Sequence, residues 1–236
     1  VFRNGKFFTC NSPYIQEKIK ENYPSRHTIV VPNCINVKRG TQSLRHLCRQ
    51  APRIIAVNNG FFGRKNGEVL LLAFDKIAQR YPQVQLHLFG RGYEPDGEAA
   101  IWAAGQQVQG QIFYHGKVTS DQILLEMEKS DLLIHTSLEE SFGLILIEAM
   151  LVGTPVIGGD RSGAVPWVLD YGRAGTLADV RDPMDVADKA AKLLGDEEAW
   201  KRISRHGQEY VKETFSARQV AGQYEQVYHM IMDGSF

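Results

Sequence analysis

From Ile54 onward, short apolar runs recur along the chain at Ile54–Val57, Val84–Phe89, Gln111–Tyr114, Leu132–His135, Pro155–Ile157 and near Ala174–Leu177. Stretches with helical spacing of apolar positions separate them, at about Gly67–Arg80, Glu98–Ala104, Ser120–Lys129, Leu144–Val152 and Ala164–Leu169. Continuous apolar strands alternating with helices predict an α/β fold, a doubly wound parallel sheet of about six strands covered on both faces. Sheets of this kind hold ligands at the carboxyl ends of their strands. The loops after Val57, Phe89, Tyr114, His135 and Ile157 are therefore where chemistry is expected.

The flanks carry weaker patterns. Ser12-Pro13 predicts a helix start, with Ser as N-cap and Pro at the first helical position, running to about Tyr23. Thr28–Val31 predicts a short strand ended by Pro32-Asn33, and residues 36–52 are polar, basic and aperiodic, as a linker or long loop would be. Asp182-Pro183 opens another helix through Leu194, and two more are expected over about Glu197–Glu213 and Ala217–Met232. The implied organisation is 1–37 as the stub of a preceding domain and interdomain segment, 38–52 as linker, 53–195 as the ligand-binding domain, and 196–236 as C-terminal helices that pack back across the interdomain side.

Composition narrows the function by exclusion. Lys+Arg and Asp+Glu are 27 each among 236 residues, so no basic field points to nucleic acid. Cys10, Cys34 and Cys48 are odd in number and form no CxxC pair, which suits reduced thiols in a cytoplasmic protein. No apolar run reaches the roughly 20 residues of a membrane span. The histidines show no HxxxH or HxH spacing and there is no Asp-x-Asp pair, so no metal site is expected. The chain opens on Val1 rather than Met, as a piece of a longer protein would.

The chemistry concentrates in two loops. Glu140 and Glu148 are separated by seven residues, and from Leu144 to Val152 only Glu148 is not apolar. A carboxylate in such a run is costly unless it meets a hydrogen-bonding group. Glu140 precedes the helix, whose N-terminus offers free N–H groups suited to phosphate. The alternative is that Glu140 is a cap and Glu148 a buried ion-pair partner. The loop Asn58–Gly67 contains glycines and the adjacent cations Arg64 and Lys65 before a helix start, either a phosphate grip or a solvated turn. It contains neither a Walker sequence nor GxGxxG. His115 and His135 close strands at the presumed ligand edge, where packing or hydrogen bonding is their ordinary role.

Taken together, these motifs resemble the donor-site signature of retaining family-4 (group 1) glycosyltransferases. They comprise Ser137–Gly143, Glu148-Ala149-Met150 followed by Gly153–Ile157, Val31-Pro32-Asn33, Gly63–Gly67, Phe89-Gly90-x-Gly92 and Phe215-Ser216. The resemblance runs from about Cys10 to Tyr228 and implies one Rossmann-like half of a GT-B fold. It implies that Lys65 and Arg64 neutralise a nucleotide diphosphate in place of a metal, and that Glu140 meets the donor sugar as a catalytic group. Glu148 would hold the ribose, the backbone of Gly60 and of Ser141, Phe142, Gly143 and Leu144 would line the phosphate and sugar, and Lys117-Val118 would flank the base. Where this chain has Asn58-Asn59, Cys34 and Trp167, the family often has Gly-Arg, a glycine and a glutamate.

The expected function is therefore to bind a nucleotide sugar, UDP- or GDP-linked, without metal or other cofactor. A hexosyl group would pass to a glycan or lipid-linked acceptor held by an N-terminal domain missing here, leaving this piece alone inactive. The implied setting is polysaccharide biosynthesis in the cytoplasm, with the full-length enzyme at the inner face of the membrane. A sugar-nucleotide epimerase and a non-catalytic nucleotide-sugar-binding module are the alternatives. The first would convert donor without acceptor; the second would need no preceding domain.

Overall fold

The computed structural model describes residues 5–37, 47–48 and 50–234. Most of the expected linker, 38–46 and residue 49, lies outside the described residues. Six strands form the main sheet: β3 (Arg53–Val57), β4 (Gln85–Phe89), β5 (Gln111–Gly116), β6 (Leu132–His135), β7 (Val156–Gly159) and β8 (Thr176–Ala178). They are parallel, in the order β5-β4-β3-β6-β7-β8. The chain winds outward from β3 in one direction and then restarts at β6 in the other. The switch point thus lies between β3 and β6, where Ile54 pairs with Leu132 and Ile55 with Leu133.

Alternate residues of each strand feed opposite cores, as a doubly covered sheet requires. Ile54, Ala56, Leu86 and Leu88 face α2 (Gly67–Arg80), α3 (Glu98–Gln106) and α7 (Pro183–Gly195). Ile55, Leu133 and Val156 face α4 (Ser120–Glu128), α5 (Leu144–Leu151) and α8 (Glu197–Thr214). The expected helix over 164–169 shrinks to the four-residue α6 (Val165–Val168). Trp200 of α8 is fully buried, and its indole N–H donates to the Asp131 carbonyl at 2.6 Å.

A second, two-stranded parallel sheet joins β1 (Phe7–Cys10) to β2 (His27–Val30) through α1 (Pro13–Asn22), which Ser12 caps by accepting from the Ile15 N–H at 3.3 Å. The last helix, α9 (Ala217–Met232), packs Val220 and Val227 on Val31, beside Ile29 and Tyr224. Ile35 donates to the Phe215 carbonyl at 2.8 Å, tying the N-terminal segment to the turn before α9. Among the described residues, no helix is long and apolar enough to cross a membrane.

Candidate functional site

Two loops meet at the carboxyl edge between β3 and β6, and hydrogen bonds between them set the meeting. Asn66 donates from its amide to the carbonyls of Thr136 (3.2 Å) and Val180 (2.6 Å). Thr136 Oγ1 donates to the Asn66 carbonyl at 3.0 Å, and Ser137 Oγ and the Leu138 N–H both donate to the Arg64 carbonyl, at 3.2 and 2.8 Å. This zipper fixes the turn Gly63–Lys65 against the segment after β6.

It brings Lys65 Nζ to 2.7 Å from Glu140 Oε1. The ring N–H of His135, at the end of β6, donates to the same oxygen at 3.2 Å. The Glu140 backbone is clamped as well. Its carbonyl accepts from the Ala164 N–H at 2.9 Å, and it forms a bridge to Gly163. A Cβ at Gly163 would sit 2.5 Å from that carbonyl oxygen, and Gly163 has φ +64°, so the close approach needs glycine there.

Burial works to raise the Glu140 carboxyl, but hydrogen bonds from His135 and Lys65 outweigh it and hold the group at about 2 against an ordinary 4.5. A carboxyl depressed in the folded state stabilises the fold fully above its ordinary value and loses that contribution as pH falls through the folded one. Wild type and Glu140→Gln should therefore differ in unfolding free energy by about 3 kcal/mol at pH 7. In denaturant titrations at stepped pH, the gap should narrow from pH 4.5 toward pH 2. A gap that stays constant over that range would show that the ion pair contributes nothing.

Glu140 opens onto a cavity of about 280 Å³ lined also by Asn58, Asn59, Lys65, His135, Gly143, Leu144 and Glu148. A second cavity of about 260 Å³ adjoins it, lined by Gly90, Lys117, Val118, Ser120 and Ile123. Val57, Asn59, Ile145 and Glu148 line both, so the two form one cleft with Glu148 at the junction. The cleft rests on packed aromatics. Phe142 is buried edge-on against Trp167 and Phe215, with ring centroids 6.0 and 5.4 Å away, which fixes the turn into α5. The loop to Lys117-Val118 ends in a capping box, in which the Thr119 hydroxyl accepts from the Gln122 N–H and Gln122 returns a bond to the Thr119 N–H.

The family model described as glycosyl transferases group 1 matches residues 42–210. The chain belongs to this family. Among curated group 1 relatives, an N-acetyl-alpha-D-glucosaminyl L-malate synthase of Bacillus anthracis is 38% identical over 125 residues, which is 53% of this chain and 32% of that protein. The chain thus spans about a third of that relative's length. The sucrose-phosphate synthase of Thermosynechococcus elongatus superposes with TM-score 0.81 at 23% identity, over 98% of this chain and 59% of the other. Anabaena HepE, solved in complex with UDP and glucose, gives TM-score 0.78 at 20% identity, over 95% and 63%. At those identities the likeness speaks to fold, and it is the GT-B fold of glycosyltransferases.

Set against the residues that the group 1 resemblance singled out, the structure gathers Lys65, Glu140, Glu148, Gly143, Leu144, Lys117 and Val118 around the cleft. Arg64 lies beside the cleft rather than in it. Its side chain is 80% exposed, lies 3.7 Å from Glu139, and lines an adjoining depression with Tyr14, Ile15 and Ser141, which shares Lys65 and Glu140 with the cleft. Of the two adjacent cations, Lys65 lines both the cleft and this depression, and Arg64 lines the depression alone. The Phe142 ring belongs to the core, and the Gly60 N–H is already bonded to the Arg91 carbonyl at 2.9 Å. His115 lies away from the cleft, 3.0 Å from His87 and stacked on Phe89. His135 is hydrogen-bonded, as expected of a strand-end histidine, but to a cleft carboxylate. Its position five residues before Glu140 was the available sign.

Proposed function

We propose that this chain is the donor-binding half of a retaining glycosyltransferase. It binds a nucleotide sugar, and the longer protein transfers the hexosyl group to a glycan or lipid-linked acceptor. The observation that carries this reading is the single cleft at the switch point, with Lys65 and Glu140 in one lobe, Lys117 and Val118 in the other, and Glu148 between them. In this reading the base lies beside Lys117-Val118, Glu148 accepts from the ribose hydroxyls, and Lys65 takes the diphosphate. Glu140, held ionised, faces the sugar.

Transfer breaks the bond between the anomeric carbon and the diphosphate oxygen. Negative charge grows on the diphosphate while an oxocarbenium-like sugar forms. Lys65 offsets the first charge and Glu140 the second, and preorganised electrostatics of this kind is the largest contribution a site can make. In this reading Lys65 supplies the positive charge that the departing diphosphate needs. HepE binds UDP and glucose, which makes UDP conjugates the first ligands to try.

The test is calorimetric titration of the chain with UDP, GDP, ADP and their sugar conjugates. One nucleotide should bind saturably, and Glu148→Ala should weaken it more than about tenfold, or about 1.4 kcal/mol. A folded protein that binds none of them, or a Glu148→Ala variant that binds as tightly as wild type, would overturn the assignment.

A further inference from the structure

The start of α1 reaches the Glu140 loop from the smaller sheet. Ser12 is fully buried and uses its hydroxyl twice: it accepts from the Ile15 N–H at 3.3 Å and donates to the Ser141 carbonyl at 2.6 Å. Two residues on, the Tyr14 hydroxyl donates to the Glu139 carboxylate. That hydrogen bond pushes the Tyr14 phenol above its ordinary value, so the hydroxyl keeps its proton and stays a donor. The Tyr14 ring also lies against Gly163, where an added Cβ would meet it at 3.2 Å. Gly163 is the residue whose bridge clamps the Glu140 backbone.

The two hydrogen bonds fall on either side of one residue, since Glu139 and Ser141 are the chain neighbours of Glu140. Consecutive Cα atoms stand about 3.8 Å apart, so tying both neighbours limits where the Glu140 carboxylate can stand. The ties come from outside the main sheet. β1 and β2 form a sheet of their own, joined through α1. Two strands alone are marginally stable, so the placement of this unit depends on what it packs against. The lobe lined by Lys117 and Val118 takes no residue from 139–141. Loosening the ties therefore acts on the lobe that contains Glu140 and not on the other.

We infer that Ser12 and Tyr14 are positioning residues for the donor sugar: by holding both neighbours of Glu140 they set where its carboxylate stands, and they make sugar recognition depend on the placement of the β1–α1–β2 unit. This rests on the donor-binding reading above and adds to it a mechanical link between the N-terminal segment and the sugar lobe. The nucleotide part of the donor is gripped independently of that link. The attached sugar is not.

The experiment titrates the best-binding member of UDP, GDP and ADP, and its sugar conjugate, into wild type, Tyr14→Phe, Ser12→Gly and Glu139→Gln. Tyr14→Phe removes only the hydroxyl and keeps the ring on Gly163. Ser12→Gly removes the other donor at little cost to the helix cap. Glu139→Gln is the conservative variant, since its amide oxygen still accepts from Tyr14. The sugar conjugate should bind about fivefold more weakly to Tyr14→Phe and to Ser12→Gly, and within about twofold of wild type to Glu139→Gln. The free diphosphate should stay within about twofold in all three. If Ser12→Gly fails to fold, Tyr14→Phe alone decides. Equal loss for both ligands would mean that the ties merely support the fold and would overturn the inference. Unchanged conjugate binding in Tyr14→Phe, or a Glu139→Gln loss as large as that of Tyr14→Phe, would also overturn it. If wild type binds no nucleotide at all, the donor-binding reading fails first and this inference falls with it.

Discussion

Replacing Lys65 with alanine should weaken nucleoside diphosphate binding by about 100-fold, or about 2.7 kcal/mol. Two effects add. The ligand loses the ammonium nearest its phosphates, and Glu140, 2.7 Å from that ammonium in the free protein, loses its ion-pair partner and keeps the His135 hydrogen bond in the same cavity. Truncating one member of a desolvated charge pair is costly largely because of the partner left behind. Lys65→Arg should recover part of the loss, because it restores charge but not shape. Titration at fixed ionic strength measures it, and a Lys65→Ala dissociation constant within threefold of wild type would remove Lys65 from the diphosphate site. The same substitution should lift the Glu140 carboxyl from its value near 2 toward the ordinary range, since Lys65 is one of the donors that hold it down.

Gly90→Ala should cost about 4 kcal/mol of stability, the largest effect expected of any single methyl added near the site. Gly90 has φ +109°, where side chains are strained, and the added Cβ would meet the Asn58 carbonyl oxygen at 1.8 Å. That oxygen belongs to the backbone at the end of β3, which cannot step aside without opening the β3–β4 edge. Denaturant unfolding should show either the loss or a chain that no longer folds cooperatively. A loss under about 1 kcal/mol would mean that the edge yields more easily than its packing implies.

The sheet was legible because each strand is buried on both faces, so its apolar run is continuous and its neighbours are helices. Its ends were less so. The run Pro155–Ile157 becomes Val156–Gly159, and Ala174–Leu177 becomes Thr176–Ala178. Ladder pairing decides where a strand stops, and pairing is a property of two segments. The short β1, Phe7–Cys10, was not singled out, since its partner β2 begins 20 residues later at His27. In the site, the residue types were readable and their contacts were not. Nothing local says that Lys65 meets Glu140 across 75 residues, or that its neighbour Arg64 turns toward Glu139.

The Lys65–Glu140 pair also bears on kinetics. With its cation already matched by a carboxylate, and with 27 basic against 27 acidic residues in the whole chain, the empty cleft projects little field into solvent. An approaching dianion is then not drawn in from beyond the roughly 8 Å over which charges act at physiological salt. Its encounter rate should follow ordinary diffusion and vary little with ionic strength. Discrimination among anions then rests on residence time, set after contact when the ligand displaces Glu140 from part of the Lys65 ammonium.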